Sequence, residues 1–160
     1  MGRVGLRIAK LFGPALPRFS SLAKAETNLF KARDEKLRRI AELANQPGCI
    51  FVADFTPASL KRLEEWYFSL CDLRAFSSLN FSREEFEGCM AMYFCEVAVR
   101  SCSDANWLVQ EYAFETGKYE IGVQRGLVCV MANRRFNDHY KTLNNQRRER
   151  IYRDYQNYFA

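Results

Sequence analysis

Residues 82–101 read SREEFEGCMAMYFCEVAVRS, and three short runs rich in Val, Ile, Tyr and Trp follow them between residues 107 and 132. Ser82 and Glu85 have the spacing of a capping box, in which the hydroxyl accepts from the Glu85 amide and the carboxylate accepts from the Ser82 amide. Apolar residues then occupy nearly every side of the helix that begins there, which is typical of a buried helix. We therefore predict a central, buried helix.

After this helix the spacing of the hydrophobic residues is no longer that of a helix and becomes that of strands. We predict strands at residues 107–114, 119–124 and 127–132, because β-branched and aromatic residues are concentrated in them. Gly117 and Gly126 lie in the two short links, where tight hairpins need a positive φ. These features predict a three-stranded antiparallel meander.

Further helices are predicted before the central helix and after the meander. Residues 21–45 have helical spacing, and Thr56-Pro57 marks the start of a second helix. Residues 49–55 are a short apolar run that fits either a strand or an extended connector, and residues 134–159 are helical in pattern. The order predicts an α+β fold: N-terminal helices, a central buried helix, a three-stranded antiparallel meander and a C-terminal helix.

Composition and charge limit the domain organisation. The 160 residues are 48% apolar and 27% charged, which fits one folded domain and leaves no room for an enzyme with its own cofactor domain. Residues 1–24 carry five basic and no acidic side chains, and residues 133–160 carry seven basic against three acidic ones. The middle of the chain is acidic, with twelve basic and sixteen acidic residues. We predict a basic arm at 1–20 and a single α+β domain at 21–160.

The two basic ends leave several interpretations open. Residues 1–24 fit an organellar presequence, a membrane-surface anchor, or a terminal arm that packs on the domain or frays. The C-terminal end offers a basic contact face for nucleic acid at Arg134, Arg135, Arg147, Arg148 and Arg150. The favoured interpretation is that these arginines form the solvated side of a packed helix. No apolar run is long enough to span a membrane.

Residues that could carry catalysis are scarce. The six cysteines are Cys49, Cys71, Cys89, Cys95, Cys102 and Cys129. They form no C-x-x-C pair, no signal peptide precedes them, and their apolar neighbours predict free thiols in the core. The single histidine, His139, lies in a polar stretch and is predicted to be a solvated surface residue. No phosphate-binding loop or set of metal ligands is present in the sequence. We predict no enzyme activity, no catalytic residue, no metal and no cofactor.

Glu96 is the acidic residue that needs an explanation, because it lies in the apolar part of the central helix. A buried carboxylate must be paired, hydrogen-bonded or protonated. Trp107, at the start of the first predicted strand, could close over it with its indole N–H, and Arg100 follows one turn later. Glu96, Trp107 and Arg100 are therefore the predicted polar residues, with a partner-binding role and a purely structural role both left open.

The stretch Met92-Tyr93-Phe94-Cys95-Glu96-Val97, followed by Arg100 and Trp107-Leu108-Val109, resembles a bacterial α+β domain superfamily. There a helix reading tyrosine–x–glycine–glutamate–valine precedes a tryptophan that begins a β-meander, and Cys95 replaces the glycine here. The resemblance covers about residues 56–135, and many members resemble toxin-immunity proteins.

The resemblance implies a non-catalytic, protein-binding module. We expect a cytoplasmic immunity protein that neutralises a cognate bacterial toxin by direct binding. The alternative is a nucleic-acid-associated factor that uses the basic C-terminal helix, in the mitochondrial matrix if residues 1–24 are a presequence.

Overall fold

The computed structural model describes residues 16–160. The elements follow in the order α1 (Leu22–Ala44), α2 (Ser59–Asp72), α3 (Arg83–Ser101), β1 (Ala105–Glu111), β2 (Tyr119–Arg125), β3 (Val128–Met131) and α4 (Arg150–Phe159). Short 3₁₀ turns occur at Phe76–Leu79, His139–Lys141 and Asn144–Gln146. This order of helices, sheet and helix confirms the predicted α+β fold.

Helix α3 lies at the centre of the molecule, as predicted. Eleven of its nineteen residues are buried, and they lie on all sides of the helix axis. The capping box at its start is present: the Glu85 amide donates to the Ser82 hydroxyl at 3.1 Å, and the Ser82 amide donates to the Glu85 carboxylate at 2.8 Å. Helices α1, α2 and α4 and the strands β1 and β2 all contact α3.

The sheet has the strand order β1-β2-β3 and is antiparallel throughout. Val109 lies opposite Ile121, and Val123 lies opposite Val130, so these side chains share the face that packs on α1 and α3. All four are buried. The predicted meander is confirmed, and Gly117 and Gly126 in its links have φ values of 85° and 58°.

Gly122 in β2 has a role that the sequence pattern did not indicate. A Cβ atom at this position would lie 2.2 Å from the Val130 carbonyl oxygen and 2.8 Å from the Met131 Cα. Real Cβ atoms essentially never approach other heavy atoms this closely, so the glycine is what allows β3 to lie against β2 here.

The C-terminal helix is shorter than predicted. The prediction of helix over 134–159 is wrong for its first half, where the chain runs through turns and two 3₁₀ segments before α4 begins. This stretch includes three asparagines, at 137, 144 and 145, and a fourth, Asn133, directly precedes it. Asparagine side chains compete with the helical hydrogen bonds of the backbone, which favours turns. The apolar run 49–55 is an extended connector and not a strand.

Most of the predicted basic arm lies outside the described residues. Residues 1–15 are outside the described part of the chain. They form most of the 1–24 segment for which a presequence, a membrane-surface anchor and a terminal arm are the open interpretations. The end of the arm packs on the sheet: the Tyr119 amide donates to the Pro17 carbonyl, the Phe19 amide donates to the Gly117 carbonyl, and Leu16 is buried. No helix between residues 16 and 160 is long and apolar enough to cross a membrane.

Candidate functional site

Glu96, Trp107 and Arg100 lie together, where the last turns of α3 meet β1. The Trp107 indole N–H donates to Glu96 Oε2 at 2.8 Å, and the Arg100 Nε donates to Glu96 Oε1 at 2.9 Å. The Glu96 side chain is 15% exposed and that of Arg100 is 53% exposed. Each carboxylate oxygen therefore has one donor, and the Glu96 carboxylate fixes both a tryptophan ring and a guanidinium near the surface.

Two further side chains extend this group. The Arg33 guanidinium, from α1, lies 5.1 Å from the centre of the Trp107 ring, and the Arg100 guanidinium lies 3.8 Å from the centre of the Phe55 ring. Both distances are within the range of a cation–π contact. We call the five residues Arg33, Phe55, Glu96, Arg100 and Trp107 the Trp107 surface. It is an alternation of cations and rings around one carboxylate.

Phe55 is held in place by an unusual backbone conformation. Its φ of 58° lies in the left-handed region, which costs a non-glycine residue about 1–3 kcal/mol. The Phe55 amide donates to the Tyr93 hydroxyl at 2.9 Å, and that hydroxyl shares a 2.6 Å hydrogen bond with the Ser59 hydroxyl. The Phe55 and Tyr93 rings stack with their centres 4.8 Å apart. Sequence analysis missed Phe55, because no residue pattern signals a positive φ at a phenylalanine.

The connector that carries Phe55 also exposes apolar side chains. Ile50 and Val52 are 48% and 66% exposed, whereas Phe51 between them is fully buried against Trp66 and Tyr93. The alternation arises because the extended chain points successive side chains to opposite sides. The connector thus carries both the exposed side chains Ile50 and Val52 and the Phe55 ring of the Trp107 surface.

The single histidine is buried, so the prediction that His139 is a solvated surface residue is wrong. Its Nε2 lies 3.0 Å from Glu64 Oε2, and both side chains are about 95% buried. Glu64 also accepts from the backbone amides of Arg150 and Ile151 at 3.0 and 2.9 Å, so it caps the start of α4 from α2. Burial of Glu64 raises its pKa, but the bonds from His139 and the two amides outweigh burial and hold the pKa below its usual value.

The predicted basic contact face is divided in the structure. Its members are Arg134, Arg135, Arg147, Arg148 and Arg150. The Arg135 guanidinium lies 5.1 Å from the Tyr158 ring centre, near the end of α4, whereas Arg147 and Arg150 lie at the start of α4. A ten-residue helix is about 15 Å long. Arg147 also forms two bonds of 2.9 and 2.8 Å to Asp72, so this cation already has a carboxylate partner.

Comparison with known proteins places the chain in a family. Residues 18–159 match the sequence model of the family described as "Uncharacterised protein YwmA". The chain belongs to the YwmA family. A protein of Bacillus subtilis (strain 168), described as "Uncharacterized protein YwmA", is 28% identical over 119 residues, which are 72% of this chain and 73% of the relative. No solved structure matches the chain.

The match to the YwmA family includes every residue of the Trp107 surface and extends beyond the 56–135 region of the immunity-protein resemblance. It begins at residue 18, so it leaves out nearly all of the predicted basic arm.

The cysteines of this YwmA-family chain differ in their burial. All six cysteines are free, as predicted, but Cys129 is exposed and so lies outside the core. Burial raises the pKa of the Cys89 thiol to about 11 and that of Cys95 to about 12, which leaves both protonated at neutral pH. Between residues 16 and 160, no group of three or more His, Cys, Asp or Glu side chains is arranged to hold a metal ion.

Proposed function

We propose that this member of the YwmA family is a non-catalytic protein-binding module, an immunity protein that neutralises a cognate bacterial toxin by direct binding. The observation that supports the proposal is the Trp107 surface, in which two arginines and two aromatic rings are arranged around Glu96. Arginine and tryptophan are the residue types that most often carry the binding energy of protein interfaces.

The contacts of Glu96 favour binding because they fix the surface before a partner arrives. Ordering a long side chain at an interface costs about 0.5–1.5 kcal/mol. The bond to Glu96 and the stacking on Phe55 already restrict Arg100, so less of this cost remains. The exposed Arg100 would attract an acidic patch on the toxin and increase the rate of association. Ile50 and Val52 would supply exposed apolar area from the connector that carries Phe55.

The state of the candidate catalytic groups supports a binding role over a catalytic one. A nucleophilic cysteine needs a lowered pKa, whereas burial raises the pKa of Cys71, Cys89 and Cys95. The ring of His139 is enclosed and bonded to Glu64, so it is not positioned to act as a base toward an outside substrate. The nucleic-acid alternative has less support, because the predicted basic face is divided and Arg147 is paired with Asp72.

A co-expression experiment tests the proposal. Each protein encoded beside this chain's gene is expressed alone and together with it, and growth and complex formation are measured. We expect one neighbour to arrest growth alone, and the chain to restore growth while forming a stoichiometric complex. Arg100→Glu should abolish the protection, and Arg62→Glu should retain it, since Arg62 is an exposed arginine on α2 outside the Trp107 surface.

Circular dichroism of both variants provides the control for folding. Protection that survives Arg100→Glu in a folded protein would remove the Trp107 surface from the mechanism. If no neighbouring protein is toxic or binds the chain, the immunity proposal itself fails.

A further inference from the structure

A groove separate from the Trp107 surface runs between α1, α3 and the sheet. Its volume is about 730 Å³, within the range of about 300–1,000 Å³ that small-molecule sites occupy. Residues 28–36 of α1 and 84–92 of α3 form its two long walls. Each wall spans eight residue steps, so the groove is about 12 Å long.

The groove is lined by apolar and charged side chains. Apolar side chains line most of it: Leu16, Phe19, Leu29, Met92, Ile121 and Phe136. Lys36 of α1 faces Gly88 of α3. The other charged residues that line the groove are Glu84, Glu87, Glu120, Arg134 and Arg135. A Cβ atom on Gly88 would be 3.7 Å from the Lys36 ammonium nitrogen, so the glycine leaves that nitrogen room above the helix backbone. The groove is therefore mainly apolar, with Lys36 as the cation where α1 faces Gly88 of α3.

The groove carboxylates Glu84, Glu87 and Glu120 each have one hydrogen-bond donor other than Lys36, which for Glu120 is the Gln110 amide at 2.9 Å. Glu84 accepts from Arg83 at 3.0 Å, and Glu87 accepts from the Tyr67 hydroxyl at 2.8 Å and lies 3.5 Å from the Arg83 Nε. Lys36 has no ion-pair partner anywhere in the part of the chain that the structure describes. It is half-buried, so it is a charge available to a ligand in the groove.

We propose that this groove binds a free amphipathic carboxylate, with the apolar chain between Leu29 and Met92 and the carboxylate on the Lys36 ammonium. The apolar walls would bury the chain, and burial of apolar area supplies most of the affinity. The charge-assisted bond to Lys36 fixes the direction of the ligand. The site uses none of the five residues of the Trp107 surface, so it does not depend on the protein-binding proposal.

Calorimetric titration of the full chain tests the head group first. Three probes share a dodecyl chain and differ in the head group: dodecanoate, dodecanol and dodecyltrimethylammonium. Dodecanoate should bind saturably, and both other probes about tenfold or more weakly, because they lack the bond to the ammonium. Absence of saturable dodecanoate binding, or equal or tighter binding of the cationic probe, overturns the proposal.

Three variants then locate the site. Lys36→Met keeps the side chain as far as Cε but removes the ammonium, and it should weaken dodecanoate about tenfold while leaving dodecanol unchanged. Lys31→Met, an exposed lysine on the same helix, should change neither. Ala32→Leu adds bulk to the wall on α1 and should weaken both probes. Dodecanoate affinity that is unchanged in Lys36→Met would place the ligand elsewhere and overturn the assignment.

Vesicles of phosphatidylglycerol distinguish a free carboxylate from the acyl chain of a membrane lipid. The proposal requires dodecanoate binding in the absence of vesicles. Sedimentation of the protein with vesicles, without binding of free dodecanoate, contradicts it.

Discussion

Replacing Glu64 by glutamine should remove one of the two backbone bonds that cap α4 and destabilise the protein by about 3 kcal/mol. The Glu64 carboxylate accepts three hydrogen bonds, from His139 Nε2 and from the Arg150 and Ile151 amides. Glutamine has one acceptor oxygen and one NH₂ group in the same space. When the glutamine amide is oriented so that its oxygen keeps the His139 and Ile151 bonds, its NH₂ group faces the Arg150 amide. Both of these groups are donors, so no hydrogen bond forms between them.

The magnitude follows from these contacts. The partly buried Arg150 amide loses its acceptor, which costs about 1–3 kcal/mol. The two remaining bonds lose the charge that makes them about twice as strong as neutral bonds, which adds about 1 kcal/mol. The sum is about 3 kcal/mol. With a urea dependence of about 2 kcal/mol/M, the midpoint of unfolding should fall by about 1.5 M.

The matched control is Glu65→Gln on the same helix. Glu65 is 57% exposed and pairs with Arg62 at 2.9 Å, and an exposed pair of this kind contributes about 0–1 kcal/mol. Urea unfolding followed by circular dichroism measures both variants. If Glu64→Gln and Glu65→Gln shift the midpoint equally, Glu64 does not cap α4 as described.

The pH dependence gives an independent check. The pKa of Glu64 lies below its usual value of 4.5, so the carboxylate stabilises the folded state above that pH. This stability is lost as pH falls through the folded-state pKa. The difference between the wild type and Glu64→Gln should therefore be full at pH 7 and should shrink as pH falls below 4.5. A difference independent of pH would refute the role of the charge.

Three further substitutions test other parts of the structure. Gly122→Ala should cost about 2–4 kcal/mol in thermal unfolding, because its Cβ would overlap the Val130 carbonyl, and a loss below 1 kcal/mol would contradict that close approach. Glu96→Gln should cost only about 1 kcal/mol, since the amide oxygen can still accept from Trp107. It should weaken binding of the protein partner that the proposed function requires, and a large loss of stability would make Glu96 purely structural. Burial raises the pKa of Glu87 above its usual 4.5, so wild-type stability falls as pH rises from 4.5 to the raised pKa. Glu87→Gln should therefore gain on the wild type over this range in urea unfolding, and a constant difference would be inconsistent with a raised pKa.

Sequence reasoning succeeded where the signal is local. The capping box at Ser82 joins residues three apart, and the pairing of Trp107 with Glu96 spans eleven residues across one helix–strand link. In both cases the residue types and their spacing express the physical requirement directly. The turn glycines Gly117 and Gly126 belong to the same class, because a tight hairpin needs a positive φ at a fixed place.

The parts that were missed depend on contacts between distant residues. Glu64 and His139 are seventy-five residues apart, and each looked ordinary in its own segment: one an acid near a helix start, the other a histidine in a polar stretch. Gly122 has no special φ and is required only because β3 lies beside it. Such roles arise when the elements pack together, so spacing along the chain does not show them.

The start of α4 shows why the predicted tail helix and the predicted surface histidine failed together. The residue before α4, Glu149, has a φ of 51° and makes no side-chain cap, so the first amides of this ten-residue helix have no local acceptor. Isolated helices of this length are unstable in water. The amides of Arg150 and Ile151 instead donate to the Glu64 carboxylate. The third donor to this carboxylate is His139, in the turns that precede α4. The helix therefore begins where the buried carboxylate can accept from its first amides. The same carboxylate gives the buried His139 ring a hydrogen-bond partner.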